Sequence, residues 1–408
     1  MELREQDVSL KMLARILPLL DKLHDCGTER DSAGNRTLFY DDYAKLVLLY
    51  LFNPLINSIS MLQRAAALPK LAKQLGLKPF SKASFSEAPA VFDPALMAAI
   101  VRELAGDARA LPADPRLADL KRALKLADGT LLTALPKLVE TLCRRSRDGS
   151  PYHAFRGHGI LDLRTGLPDL IRLTGGSPKG PDNERRVLEA AVLPGNLYVA
   201  DRGYFDKKLF AHIVKQGSSY VFRAHDNLVY EVVEDRPLSP AAVADGVLKD
   251  QVVRLADLDH LVHLADLDHL VHLVTVRADV HAKRTRNGTI DSSGQMLLVS
   301  DDLTMAPELV SLCYRYRWTI ETFFKFLKQM LGCRHLISQR KVGVEIQIYG
   351  AMIACLLLNL ATGVRPCKAL LEVLLWHQLG FASEEEVLAR VEKIQRDQAK
   401  AHAKKIAK

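Results

Sequence analysis

Cysteine is scarce in this chain and never paired in a motif. Of 408 residues six are cysteine: Cys26, Cys143, Cys313, Cys333, Cys355 and Cys367, with no CxxC spacing among them. That pattern excludes a zinc knuckle and a disulfide framework, and it suits a reducing cytoplasm. The opening residues, MELREQDVSLKML, lack the apolar core of a signal peptide. The most apolar run, 348–364, carries Asn359 and Thr362 and is short for a membrane span, so it reads as a buried helix. No long heptad run marks an obligate coiled-coil interface. Acid is missing from 61–86, which holds Arg64, Lys70, Lys73, Lys78 and Lys82. A small basic helical module of this kind suits DNA docking as well as it suits a solvated helical cap.

What the chain does have is a globular composition. Hydrophobic residues make up 48% and charged residues 25%, enough for a sizeable core. The formal net charge of +8 favours a polyanionic partner, nucleic acid or anionic lipid. Residues 1–115 read as helical. From Leu124 the texture changes to strands, at LKLADGTLL, 160–163, 170–173 and NLYVADRGYF. Helices are expected at 182–192 and 206–216, with a further strand at SYVFRA. Strands followed by alternating helix and strand predict a mixed α/β sheet covered by helices. Residues 225–296 break the alternation and read as a β-rich insertion that leaves the main sheet. The main sheet resumes at 296–299. Residues 341–377 read as apolar helix, and 376–408 as a helical, basic tail.

Within 225–296 the nonapeptide LADLDHLVH at 255–263 recurs unchanged at 264–272. Two copies make a local duplication, since a solenoid needs more and longer repeats. Its histidines (His260, His263, His269, His272) and aspartates (Asp257, Asp259, Asp266, Asp268) show no metal-ligand spacing that specifies a site. An extra nine residues flips the facing of a strand, so the second copy is expected to loop out.

Three carboxylates stand where chemistry gathers in such sheets. Asp128 and Asp201 sit in or at the ends of strands, and function tends to gather at strand ends. Glu321 lies in YRYRWTIETFFKFLK, read as one helix from Tyr314 to Lys328. Tyr314, Arg317, Glu321 and Lys328 fall on one stripe of that helix, beside an apolar stripe of Ile320, Phe323, Leu327 and Met330. Alone, the polar stripe is an ordinary solvated face with an i,i+4 ion pair. With two aspartates upstream it becomes a candidate cluster for hard divalent cations, which take carboxylate and phosphate oxygens.

These residues resemble the bacterial insertion-sequence transposases of the DDE class that carry the signature Y-x2-R-x3-E-x6-K. The signature is intact as Tyr314, Arg317, Glu321 and Lys328, and the family's two aspartates match Asp128-Gly129-Thr130 and Asp201-Arg202-Gly203-Tyr204. The resemblance implies a ribonuclease-H-like α/β fold at 116–375 with a β-rich insertion at about 225–296. An N-terminal helical DNA-binding region would occupy 1–115, and the basic tail 376–408. It implies catalytic and metal-binding roles for Asp128, Asp201 and Glu321, with Mg²⁺ as cofactor and Mn²⁺ as substitute. DNA contacts fall to Tyr314, Arg317, Lys328, Lys325 and Arg202. The implied partners are double-stranded transposon ends and target DNA, with a homodimer formed on DNA and no membrane. The alternatives are a nuclease of the same fold without strand transfer and an inactive or domesticated DNA-binding protein.

Overall fold

The structure, a computed structural model, describes residues 16–406 apart from 25, 27–30, 32, 33, 35, 54, 112, 135–141, 146–150, 175–182, 256–269, 279–293, 330–335 and 339. Five helices come first: α1 (Tyr40–Phe52), α2 (Ile59–Ala66), α3 (Pro69–Leu75), α4 (Lys82–Glu87) and α5 (Pro94–Gly106). Their ends follow local chemistry. Ser58, Ser81 and Asp93 accept backbone N–H bonds at the starts of α2, α4 and α5, and Gly76 closes α3 in the left-handed region. Every residue of α1 is buried, including Asp41, Asp42 and Lys45. The Lys45 ammonium balances that helix's acids, 3.0 Å from Asp41 and 3.8 Å from Asp42.

The sheet begins with β1 (Ala123–Ala134), β2 (Leu142–Arg145), β3 (Pro151–Asp162) and β4 (Leu167–Thr174). The chain continues through α6 (Glu184–Glu189), β5 (Asn196–Ala200), α7 (Lys207–Lys215), β6 (Ser219–Arg223) and β7 (Tyr230–Arg236). Next come α8 (Pro240–Ala244), β8 (Val247–Leu255), β9 (Val271–Arg277) and β10 (Gln295–Ser300). β1, β3 and β4 are antiparallel neighbours, whereas β5 runs parallel to β1 and β6 parallel to β5. β5 is buried along its whole length, as a parallel strand covered on both faces should be. This is the mixed sheet flanked by helices that the strand pattern predicts.

Two expectations change. The stretch after residue 225 is β-rich, but it does not leave the sheet. β10 pairs antiparallel with β6, and β9, β8 and β7 continue outward in that order. The open edge of β6 offers unpaired backbone groups, and extending the sheet satisfies them. The new edge, β7, is solvent-facing and carries Glu231, Glu234 and Asp235, charges that discourage further pairing. Most of the duplicated nonapeptide lies outside the described residues, with His260, His263 and His269. Its last residues, Val271 and His272, are strand residues of β9. His272 is fully buried and bridges the Asp250 carboxylate at 2.6 Å and the Asp302 carbonyl at 3.2 Å.

The second change is at the signature stretch, which forms two helices, α9 (Pro307–Tyr316) and α10 (Trp318–Gln329). They meet at Arg317, where Arg317 N–H bonds to Tyr314 O at 3.0 Å and Ile320 N–H to Arg317 O at 3.2 Å. These i→i+3 bonds tighten the turn and interrupt the α ladder. α11 (Lys341–Thr362), α12 (Lys368–Gln378) and α13 (Glu384–Ile406) complete the chain. α11 is the one described helix long and apolar enough to cross a membrane, and most of it is buried inside the protein. It packs on α1, α5 and β4, so the N-terminal helices share one core with the sheet.

Candidate functional site

Asp128 and Asp201 are set side by side by strand register. Ala127 and Ala200 are partners on the parallel strands β1 and β5, and each aspartate is the next residue. Asp128 Oδ1 accepts from Gly129 N–H at 2.7 Å, and Asp201 Oδ1 accepts from Arg202 N–H at 2.6 Å. Asp201 thereby caps the 3₁₀ turn Arg202–Tyr204.

Glu321 reaches the same place from above. α10 lies on β3 through Ile320 and Phe324, whose side chains cover Gly159. Ile320, Phe323 and Leu327 are buried, as their spacing predicts; Met330 lies outside the described residues. Glu321 occupies the first turn of α10, where the helix N-terminus favours an acid.

The Arg317 guanidinium pairs with two of the three carboxylates. Its Nη1 donates to Asp128 Oδ2 at 3.3 Å and its Nη2 to Glu321 Oε1 at 2.5 Å. Asp201, Glu321 and Asp128 all raise its pKa. Burial pushes the Asp128 carboxyl up to about 6, with Arg317 opposing and the charges of Glu321 and Asp201 adding to the rise. Arg317 Nε is buried with no hydrogen-bond partner, so a strong donor remains for another acceptor. The guanidinium carbon lies 5.7 Å from the Tyr314 ring centroid. Burial raises the Tyr314 phenol to about 12, which keeps it a neutral donor.

The other expected contacts are less concentrated. Lys325 is exposed and Lys328 half-buried on α10. Arg202 pairs with Asp226 at 3.4 Å. Arg64, Lys70, Lys73, Lys78 and Lys82 are all exposed. Among the described residues no three His, Cys, Asp or Glu side chains form a preassembled metal cluster. Asp128 and Glu321 share a cation that the protein itself supplies, Arg317.

Sequence reasoning missed Glu184 and Arg156. Glu184, in the first turn of α6, pairs with Arg156 of β3 at 2.9 Å. A Cβ on Gly203 would come within 2.8 Å of Glu184 Oε1, and one on Gly129 within 3.7 Å of Oε2. Gly203 therefore leaves room for Glu184 beside the turn that follows Asp201, and Gly129 packs against the same pair. The one signal available in sequence was an acid at the start of the helix expected at 182–192.

A family model described as a transposase DDE domain matches residues 125–358. The chain is similar to the y4zB protein of Sinorhizobium fredii, whose name describes a transposase. They are 25% identical over 233 residues, which is 57% of this chain and 60% of that protein. It is also similar to the transposase named for insertion sequence element IS5377 of Geobacillus stearothermophilus, at 26% over 216 residues, 52% of this chain and 51% of that one. A third relative, named as a transposase for element IS4SA of Synechocystis, is 25% identical over 235 residues, 57% of this chain and 58% of it. The chain thus spans just over half the length of the curated relatives it matches. Among solved structures, a piggyBac transposase synaptic complex with hairpin DNA aligns with a TM-score of 0.43 and 10% identity, over 97% of this chain and 82% of that one.

Proposed function

Because the chain belongs to the transposase DDE domain family, we propose that it is a DNA transposase. It would cut at the terminal inverted repeats of an insertion sequence and join the 3′ ends to target DNA. The observation that supports this reading is that Asp128 and Glu321 share one guanidinium while strand register sets Asp201 beside Asp128. Three carboxylates, one within a strand, one just past a strand end and one on a packed helix, suit hard cations bound also by phosphate oxygens. Asp128, raised to about 6 by burial first and by its acidic neighbours after it, is a group that gains from added positive charge.

In this reading Asp128, Asp201 and Glu321 would hold Mg²⁺, with Mn²⁺ as substitute. Such ions, when bound, stabilise the attacking and leaving oxygens of a phosphodiester displacement. Arg317 would leave the acids as that charge arrives and turn its fork, with the unpartnered Nε, to a DNA phosphate. Tyr314 would donate its phenol proton as a hydrogen bond, while Lys328, Lys325 and Arg202 add cationic contacts that fix the duplex rather than read its sequence. Cleavage adds water across a phosphodiester and leaves a 3′ hydroxyl. In joining, that hydroxyl oxygen attacks a target phosphorus and displaces the target strand's 3′ oxygen.

Residues 1–115 would form the DNA-binding region, 116–375 the catalytic domain and 376–408 a basic tail. Two ends are processed together, so a homodimer assembled on DNA fits the task. The bacterial cytoplasm is the matching location. The test supplies the protein with Mg²⁺, a pre-cleaved transposon end and a supercoiled plasmid. Plasmid molecules covalently joined to the end support the reading. Cleavage of uncut ends without joining would make the protein a nuclease of the same fold, and binding with neither reaction would make it a DNA-binding relative.

A further inference from the structure

A cavity of about 490 Å³ opens at the end of the sheet opposite the acids, beside Leu124 at the start of β1 and Gly166 of the β3–β4 turn. Five arginines line it: Arg116, Arg122, Arg164, Arg315 and Arg365. Asp114 is its one acid. That acid is already engaged: Arg116 donates to it at 2.9 Å and the Tyr316 hydroxyl at 2.6 Å. Arg315 is engaged with Asp245, and Arg122 donates to the Gly217 carbonyl at 2.7 Å.

Arg365 is different. Its backbone is fixed, with N–H donating to Gln398 Oε1 at 3.1 Å and its carbonyl accepting from Gln398 Nε2 at 2.9 Å. Its aliphatic stem lies across Gly166, where a Cβ would come within 2.9 Å of Arg365 Cδ. Gly166 has φ +67°, so the turn both needs glycine and makes room for the arginine. Yet the guanidinium has no side-chain or carboxylate partner among the described residues. Burial lowers its pKa and no carboxylate offsets that effect. A half-buried guanidinium with no carboxylate beside it is a cation that an anion from outside the chain can complete.

We propose that this cavity is a second anion site, taking the phosphate of a nucleotide-sized phosphate ester on Arg365. Guanidinium forks match phosphate oxygens in pairs. The remaining wall, with Leu111, Leu163, Leu312 and the Tyr316 ring, suits an apolar or planar body. The volume falls within the range of small-molecule pockets, about 300–1,000 Å³. The phosphate could belong to a free nucleotide or to a DNA strand, and both present the same chemistry to Arg365.

The test uses the full chain in thermal-shift and calorimetric titrations with inorganic phosphate, AMP and a short duplex DNA. AMP and phosphate are expected to bind saturably and to raise the melting temperature. Arg365→Met is expected to fold as wild type does and to lose the AMP response. Arg365→Lys keeps the charge without the fork and is expected to bind AMP at least about tenfold more weakly. Asp128→Ala should respond to AMP as wild type does, which separates this cavity from the acidic cleft. Displacement of AMP by duplex DNA would assign the phosphate to a DNA strand; its persistence would assign it to a free nucleotide. No saturable AMP or phosphate binding by wild type, or an Arg365→Lys variant that binds as wild type does, would overturn the proposal.

Discussion

Arg317 decides the state of the acidic cleft. Its guanidinium supplies positive charge to Asp128 and Glu321, the same service a divalent ion would supply. Arg317→Gln should therefore bind Mn²⁺ more tightly in the absence of DNA, by about tenfold, since a nearby unit charge in a partly buried site carries interactions of that order. Electron paramagnetic resonance titration of free Mn²⁺ measures it, and unchanged affinity would show that the arginine and the ion do not compete. A second residue-scale expectation concerns Asp114. Arg116 and Tyr316 hold its carboxyl down to about 2 despite burial. Asp114→Asn should cost about 2 kcal/mol, as expected when a charged hydrogen-bond partner is lost. A depressed folded-state pKa contributes stability above the ordinary value, which is lost as pH falls. The melting-temperature gap between wild type and Asp114→Asn should thus be full near neutrality. It should close as pH falls from 3.8 toward about 2.

At the scale of elements, the position of Glu321 depends on how closely α10 sits on β3. A Cβ at Gly159 would come within 2.6 Å of Phe324 Cζ, and an aromatic ring wedged under a helix cannot give way freely. Gly159→Ala should destabilise by about 1–3 kcal/mol through overpacking and reduce cleavage by lifting Glu321. A Cβ at Gly106 would meet nothing within 4 Å, so Gly106→Ala is the control and should be neutral or mildly stabilising. Urea denaturation and a cleavage assay on both variants check this. The elements also show what was readable beforehand. β5, which ends at Ala200, was legible because an apolar run stops at an acid, and β1 was legible as an apolar strand that carries Asp128 within it. The apolar seam of α10 was legible from its spacing. The break at Arg317 was not, because i→i+3 and i→i+4 bonding place the same residue types within one turn. Nor was the attachment of β7–β10 to the main sheet, since an alternating strand does not announce which edge it joins. Glu184 escaped because its place is set by the glycines it faces, far away in sequence.

Across the whole molecule, the cleft, the exposed basic residues of α2–α4 and the net charge of +8 suit a partner with regularly spaced phosphates. Affinity for duplex DNA should fall steeply and linearly on a log–log plot against salt; a flat plot would remove phosphate contacts from the account. The duplicated nonapeptide enters here too. Removing either copy leaves the same sequence running into β9, including the Val-His that now stands at Val271 and His272. The buried His272–Asp250 contact can therefore re-form, and a one-copy variant should fold with an unchanged circular dichroism spectrum and a similar melting temperature. The most direct test of the central claim pairs cleavage with binding on one DNA, a duplex carrying the element's own terminal inverted repeat. Wild type, Asp128→Ala, Asp201→Ala and Glu321→Ala are compared with Mg²⁺ present. The account predicts comparable gel-shift binding by all four proteins and cleavage by wild type alone. Cleavage near the wild-type rate by any one of the three variants would contradict it.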